Sequence, residues 1–162
     1  MAKFQFTELI LQMNEIITAR LGATATAAGN LTDYEQNKIV KLAGDSQYNL
    51  CAAGNEIEGF INSIQGATLD GWTIGSVQVG GRKEVMCDGA QATVGSAGAL
   101  SVGQYVVTGT VVAKGTDLTT APKVASATTQ ATIKNGPFAW RVVSLGSAGT
   151  GAIGTTAIIE KA

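Results

Sequence analysis

The side chains that could carry out chemistry in this chain are carboxylates and two thiols, because the sequence contains no histidine. Histidine is the commonest general base and the commonest metal ligand, so its absence removes most hydrolase mechanisms. Glu56 and Glu58 could form an acid/base pair, since alternate residues of a strand lie on one face. We expect both to face solvent instead, with Ile57 between them pointing inward. The sequence therefore predicts that the protein is not an enzyme.

The remaining chemical patterns are better explained by structure than by catalysis. Cys51 and Cys87 form no CxxC pair, which predicts free, partly buried thiols and no metal site. Asp33, Glu35 and Asp45 lie beside turn-forming residues and are expected to form turns or caps. Residues 149–154 match the GxGxxG pattern, but too few residues follow here for the βαβ unit that binds a dinucleotide, so no cofactor is predicted. Residues 30–32 form a glycosylation sequon, which matters only in an exported protein.

Composition predicts one folded domain without nucleic acid or membrane partners. The chain has 162 residues, of which 45% are hydrophobic and 14% charged, a balance typical of folded proteins. Its lysines and arginines are scattered, whereas a nucleic-acid surface clusters them. No apolar run approaches the roughly 20 residues that span a bilayer. Because no export signal is evident, we expect synthesis in the cytoplasm.

The N-terminal residues predict a docking arm. Apolar side chains recur at intervals of three and four over residues 4–21, which predicts an amphipathic helix that ends at Gly22. Residues 23–30 have mostly small side chains, which predicts a connector. Residues 1–30 are therefore assigned to an arm and residues 31–162 to a β-rich domain. The helix either folds back onto that domain or docks on a partner. Its candidate docking residues are Phe6, Leu9, Ile10, Met13, Ile16 and Ile17.

The rest of the chain predicts short strands joined by tight turns. Between residues 38 and 88, brief apolar runs are separated by pairs of turn residues: Gly44-Asp45, Gly54-Asn55, Asp70-Gly71, Gly80-Gly81 and Asp88-Gly89. Further strands are predicted within residues 104–112, 138–145 and 152–160, the second of them packed on both faces. Residues 115–135 show no period and suggest a loop or an irregular edge strand. The predicted fold class is mainly β, a single small antiparallel barrel, tulip or sandwich preceded by the helix.

The amino-acid sequence of residues 39–82 resembles that of the head decoration, or capsid cement, proteins of tailed bacteriophages. The resemblance lies in four segments, namely residues 39–45 (IVKLAGD), 53–61 (AGNEIEGFI), 68–78 (TLDGWTIGSVQ) and 80–82 (GGR). It implies a β-rich virion protein that binds the outer surface of the major capsid protein shell and associates as a trimer or dimer. It implies no catalytic residues, and the predicted N-terminal helix departs from the extended arms of the shortest members.

A second hypothesis is a phage tail or fibre domain that binds host-surface glycan. Its stacking platforms would be the aromatic side chains Tyr48, Trp72, Tyr105 and Trp140. Exposure of a tryptophan beside an acidic or amide side chain would favour this hypothesis, and burial of both tryptophans would favour core roles.

Overall fold

The chain folds into two β-sheets in the computed structural model, which describes residues 15–26, 28–116 and 121–162. In these residues the strands are β1 Ile16–Leu21, β2 Ile39–Gly44, β3 Gln47–Leu50, β4 Gly59–Ala67, β5 Thr73–Gln78, β6 Arg82–Ala90, β7 Val106–Thr108, β8 Lys123–Ser126, β9 Trp140–Leu145 and β10 Thr156–Lys161. Two 3-10 turns, Asp33–Glu35 and Gln91–Thr93, and one short helix, α1 Gln130–Lys134, complete the fold. The prediction of a mainly β protein is confirmed.

The first five strands form a closed barrel in the order β1-β3-β2-β4-β5. β4 and β5 make an antiparallel hairpin, and β1 closes the barrel by pairing antiparallel with β5 and parallel with β3. The alternation of strand side chains sends one set inward, where the buried members are Ala19, Leu21, Leu31, Val40, Ile61 and Val77.

The last five strands form a second sheet, in the order β7-β8-β6-β10-β9, that curls until its two edges meet. Tyr105, just before β7, bridges Arg141 of β9. The Gly103 amide donates to the Val142 carbonyl at 2.7 Å, and the Val142 amide donates to the Gln104 carbonyl at 2.8 Å. Since unpaired sheet edges invite association with other chains, this contact shields both edges.

The two sheets share one hydrophobic core. Ile39, Ile57 and Phe60 extend from the barrel into the concave face of the second sheet, where Phe60 meets Trp140. Their rings are 5.1 Å apart at an interplanar angle of 86°, the edge-to-face geometry that adds about 0.5–1.5 kcal/mol to burial alone. The remaining members of this core are Cys51, Val85, Cys87, Leu100, Val106, Val124, Val142, Ala157 and Ile159.

A buried glutamine holds the turn through which the chain leaves the barrel and enters the second sheet. Gln78, at the end of β5, is 2% exposed, and its side-chain amide donates to the carbonyls of Gly80 at 3.0 Å and Arg82 at 2.8 Å. Gly81 has a φ of +83°, a conformation that glycine adopts without strain. The predicted turn at Gly80-Gly81 is thus confirmed, and it is also the junction between the two sheets.

The N-terminal helix prediction is wrong for residues 16–21, which form β1. Ala19 and Leu21 are buried in the barrel while Ile16 and Arg20 are exposed, so the alternation of period two prevails over the helical spacing. The other predicted docking residues, Phe6, Leu9, Ile10 and Met13, lie outside the described residues.

The connector predicted over residues 23–30 forms a closed loop in the part that is described. Gly22 bridges Asn30, and the Ala23 amide donates to the Gly29 carbonyl at 2.9 Å. The loop therefore returns the chain to the end of the barrel at which it left.

Further predictions are corrected in the second sheet. Residues 115–135 contain β8 and α1, and β8 is an interior strand that pairs parallel with β6, so the fold is not purely antiparallel. Asp88-Gly89 is not a turn between strands but part of β6, where Gly89 has a φ of +86° at a register shift. In β9, Trp140 and Val142 are buried but Arg141 is exposed, so this strand is packed on one face.

Other predictions are confirmed. Ile57 is fully buried, and both cysteines are free, although they are buried rather than partly buried. β7 and β9 lie within the segments predicted at residues 104–112 and 138–145, and β10 begins within the segment 152–160 and ends one residue beyond it.

Glu35 is a fully buried carboxylate that joins the first 3-10 turn to a distant loop. One oxygen accepts hydrogen bonds from the Thr32 amide and hydroxyl, each at 2.8 Å. The other accepts from the Gly115 amide at 2.6 Å and lies 3.5 Å from the Lys38 ammonium. Burial raises the pKa of Glu35, but the hydrogen bonds from Gly115 and Thr32 and the charge of Lys38 outweigh it, so the pKa lies below its ordinary value of 4.5.

We expect Glu35→Gln to lower the free energy of unfolding at pH 7 by about 1–3 kcal/mol, because buried amide donors lose a charged acceptor. Because the pKa of Glu35 is lower in the folded than in the unfolded state, its ionised carboxylate stabilises the fold at pH values above the unfolded-state pKa near 4.5. This contribution disappears as the pH falls through the folded-state pKa. Urea denaturation between pH 7 and pH 3 should therefore show the wild type converging on the variant. Glu84→Gln, at an exposed position, is the matched control. Equal stability of wild type and Glu35→Gln at pH 7 would contradict this role.

Candidate docking surface

The hairpin between β4 and β5 carries the most exposed apolar side chain of the described residues. Leu69, in the turn at its tip, has a relative exposure of 111%, compared with 61% for Val102, 50% for Leu42 and 48% for Ile16. β5 runs from this tip to the junction with the second sheet, so the tip lies at the far end of the barrel. Single exposed apolar side chains are common on protein surfaces, so Leu69 is a candidate anchor for a partner because of its projecting position and not because of its exposure alone.

The turn that carries Leu69 is held by its own hydrogen bonds. The Thr68 amide donates to the Trp72 carbonyl at 2.7 Å, and the Gly71 amide donates to the Thr68 carbonyl at 2.9 Å. The Thr68 hydroxyl lies within hydrogen-bond distance of two acceptors, the Asp70 carboxylate and the Trp72 carbonyl, which share its single proton. Gly71 has a φ of +85°, which confirms the predicted turn at Asp70-Gly71 and explains its glycine.

The loop of residues 22–30 supports the hairpin from one side. Asn30 is 7% exposed; its side-chain nitrogen donates to the Gly71 carbonyl at 2.6 Å, and its side-chain oxygen accepts from the Thr73 amide at 3.1 Å. A Cβ at Gly71 would come within 2.8 Å of the Ala25 carbonyl oxygen, so loop and turn are in close contact. The asparagine of the sequon is thus a buried structural bridge.

Arg20 supports the hairpin from β1. Its guanidinium lies 3.9 Å from the Asp70 carboxylate and 5.5 Å from the centre of the Trp72 ring. The Thr68 hydroxyl, and more weakly Arg20, hold the pKa of Asp70 below its ordinary value. Because the ion pair is exposed, its main effect is to orient the tip rather than to stabilise the fold.

The predicted docking residues that the structure describes do not lie on one surface. Ile16 and Ile17 are neighbours on a strand, so their side chains point to opposite faces. β1 starts at the junction, where the Val79 amide donates to the Glu15 carbonyl at 2.7 Å. Since six strand residues span about 20 Å, the segment of residues 1–14 joins the barrel at the end opposite Leu69.

The carboxylates considered for chemistry are not brought together. Glu58 accepts a hydrogen bond from the Leu42 amide at 2.8 Å, and Glu56 and Glu58 are half-buried rather than fully in solvent. Asp33 and Asp45 are exposed and Glu35 is a cap within its own turn. Within the described residues, no group of three or more cysteine, aspartate or glutamate side chains could hold a metal ion.

The sequence pattern missed Leu69 as a candidate. The available signal was a single leucine next to the turn pair Asp70-Gly71, where a polar residue is usual. Arg20 was not recognised as a support of the hairpin because the sequence pattern placed it in a helix.

None of the helices in the described ranges is long and apolar enough to cross a membrane. Comparisons with protein-family models, with curated proteins and with solved structures gave no match. The resemblance of residues 39–82 to capsid decoration proteins stays a prediction.

We expect Asn30→Ala to lower the free energy of unfolding by about 1–3 kcal/mol, because the Gly71 carbonyl and the Thr73 amide both lose a buried partner. Hydrogen exchange at the amides of Gly71 and Thr73 should accelerate more than exchange in the second sheet. Asn62→Ala is the control, since Asn62 is exposed and its amide makes a single 3.2 Å bond to Ser76. Equal effects of the two substitutions would show that Asn30 does not brace the hairpin.

Proposed function

We propose that this chain is a structural virion protein that binds the outer surface of a phage capsid and stabilises the shell. Its partners are the major capsid protein and further copies of itself, as a trimer or dimer. The observation that carries the proposal is the fully exposed Leu69, which lies within residues 68–78, one of the four segments that resemble decoration proteins.

The geometry of the hairpin suits docking on a repeating protein surface. Association orders side chains and loops at a cost of about 0.5–1.5 kcal/mol for each immobilised side chain. The backbone of the turn around Leu69 is already held by Thr68 and Asn30, so the cost that remains at the tip is that of ordering the Leu69 side chain. A shell repeats the same site many times, and linked copies gain avidity from modest single contacts.

Of the four aromatic side chains, only Trp72 meets part of the condition for the glycan-binding alternative, because it is partly exposed and Arg20 joins it to Asp70. Trp140 is fully buried and cannot stack on a sugar. Trp72 is half-buried and carries the Arg20 guanidinium over its ring. Tyr48 and Tyr105 are half-buried and pack against the hydrophobic clusters beneath them.

We expect the purified protein to bind undecorated, expanded phage heads saturably and to raise the temperature at which they disrupt. Leu69→Ser should weaken binding at least tenfold, because burying a leucine contributes about 1.5–3 kcal/mol at each site. Sedimentation of heads with bound protein measures occupancy, and light scattering measures head disruption.

Val102→Ser is the matched control, since Val102 is 61% exposed but lies in the second sheet's surface loop. Failure of the wild type to bind any intact head would overturn the proposed function. If the wild type binds heads and Leu69→Ser binds them with equal affinity, the proposed function stands but Leu69 is not the anchor.

We expect deletion of residues 1–14 to leave the barrel folded and to reduce head occupancy or self-association. The deletion must stop before Ile16, because Ala19 and Leu21 of β1 are buried in the barrel. Thermal unfolding checks the fold, and analytical ultracentrifugation checks the oligomeric state. A chain in which residues 1–14 are replaced by a Gly/Ser segment of equal length controls for length. Unchanged occupancy and oligomeric state would show that this segment does not dock.

A further inference from the structure

The first half of β1 has a strand neighbour on one side only. On one side, β5 pairs with every residue from Ile16 to Arg20. On the other side, β3 pairs only with Arg20 and Leu21. Residues 16–19 therefore form a short free edge in the wall of the barrel, and this strip of residues is called the β1 edge below.

Hydrogen bonds at the two ends of β1 show which backbone groups face the β1 edge. The Glu15 carbonyl accepts from the Val79 amide at 2.7 Å, so the odd-numbered residues of β1 direct their backbone groups toward β5. The Arg20 amide donates to the Ser46 carbonyl at 2.9 Å, so the even-numbered residues direct theirs toward β3. The pairing of β1 with β5 continues without a register shift, so this alternation holds along the strand.

The backbone groups of Ile16 and Thr18 consequently point to the free side of the strand. Neither residue has a hydrogen-bond partner on that side among the described residues. Both side chains are exposed, so an extended backbone has access to these groups. Free amides and carbonyls in this arrangement are a template for the addition of another strand.

The β1 edge lacks the features that usually protect sheet edges from association. Such edges are guarded by charged side chains, prolines, bulges or covering loops. Residues 16–19 (IITA) contain no charged residue and no proline, and they contain no bulge. Ile16 is 48% exposed and Ile17 is 38% exposed, so apolar surface lies beside the free backbone groups.

The start of β3 limits which strand fits on the β1 edge. Because Ser46 occupies the Arg20 amide, an added strand must end beside Ala19. A second copy of β1, lying antiparallel, meets the same limit from its own β3. The longest overlap that avoids both β3 strands has Ile17 opposite Ile17 of the second copy, and it places Ile16 opposite Thr18.

We propose that two copies of this chain associate through the β1 edge, with their β1 strands antiparallel about a two-fold axis at Ile17. Ile16 of each copy exchanges amide–carbonyl hydrogen bonds with Thr18 of the other, so that the free groups of both residues are paired. The two Ile17 side chains lie opposite each other at the axis. The contact is self-complementary, because the same strip serves both copies.

This dimer is a form of the self-association that the proposed function includes, but it requires no shell. It involves neither the hairpin tip nor residues 1–14. A failure to dimerise in solution and a failure to bind heads are therefore distinguishable results. Because the strip is short, we expect a weak dimer whose sedimentation coefficient rises with protein concentration.

The direct test is disulfide cross-linking of the full chain that carries Ile17→Cys. Residues that face each other without hydrogen bonds in an antiparallel pair have Cα atoms about 4.5 Å apart, a distance that a disulfide can bridge. We expect the oxidised variant to migrate as a covalent dimer on non-reducing gels. The wild type gives the background, since Cys51 and Cys87 are buried.

Ile16→Cys is the matched control, because the two copies of this residue are diagonal neighbours about 7–8 Å apart. We expect its yield of covalent dimer to be at least tenfold lower. A monomeric Ile17→Cys chain, or equal cross-linking of the two variants, would overturn the proposal. The first result is also the one expected if residues 1–14 of the same chain cover the β1 edge.

Thr18→Pro provides a second test that uses no cysteine. The Thr18 amide faces the free side, so proline removes no hydrogen bond of the monomer but blocks the second copy. We expect the concentration dependence of sedimentation to disappear, while thermal unfolding shows a retained fold. Ala19→Pro is the contrasting variant, because its amide faces β5 and its loss should lower the melting temperature. A folded Thr18→Pro chain that dimerises like the wild type would overturn the proposal, and cross-linking decides alone if this variant does not fold.

Discussion

The packing of the barrel against the concave face of the second sheet is the interaction on which the rest of the structure depends. Phe60 and Trp140 are both fully buried at this contact, and the largest hydrophobic cluster of the described residues includes both sheets. A five-stranded barrel of this size encloses few side chains, so its own interior gives limited burial. The shared core adds the burial that each sheet lacks alone, and it fixes the orientation of one sheet on the other.

The second constraint is the meeting of the sheet edges, which follows from the packing of the barrel against the second sheet. A curled sheet can accommodate the large side chains of the barrel, and curling brings Tyr105 and Arg141 together so that the sheet edges pair. The barrel closes through β1, whose parallel contact with β3 is short. Elsewhere the barrel is closed and the edges of the second sheet bridge each other at Tyr105 and Arg141, so association through added strands is disfavoured there.

The sequence predicted the strands and most turns because alternation and glycine positions are local signals. Gly71 and Gly81 adopt the positive φ that their turn positions suggested. β1 was missed because the spacing of Ile17 and Leu21 fits both a helical and a strand period, and the choice between them is made by β5, which is distant in sequence. For β8 the sequence predicts only a loop or an irregular edge strand, because its interior position depends on parallel pairing with β6, which no local pattern encodes. The same reason hides Leu69 and Asn30 as members of one site, since the hydrogen bond that joins Asn30 to Gly71 spans 41 positions.

The position of the hairpin tip relative to the junction bears on how such a molecule would reinforce a shell. A subunit that is held at a single point can rotate about it and transmits little load, whereas two contacts at opposite ends of a rigid body resist rotation. The barrel has such an axis, because Leu69 lies at one end and the segment of residues 1–14 joins at the other. Arg20 and Asn30 stiffen the first end, and Gln78 with the Gly80-Gly81 turn stiffens the second. If both ends contact neighbouring capsid subunits, the barrel acts as a strut between them, and the core around Phe60 and Trp140 holds the second sheet against that strut.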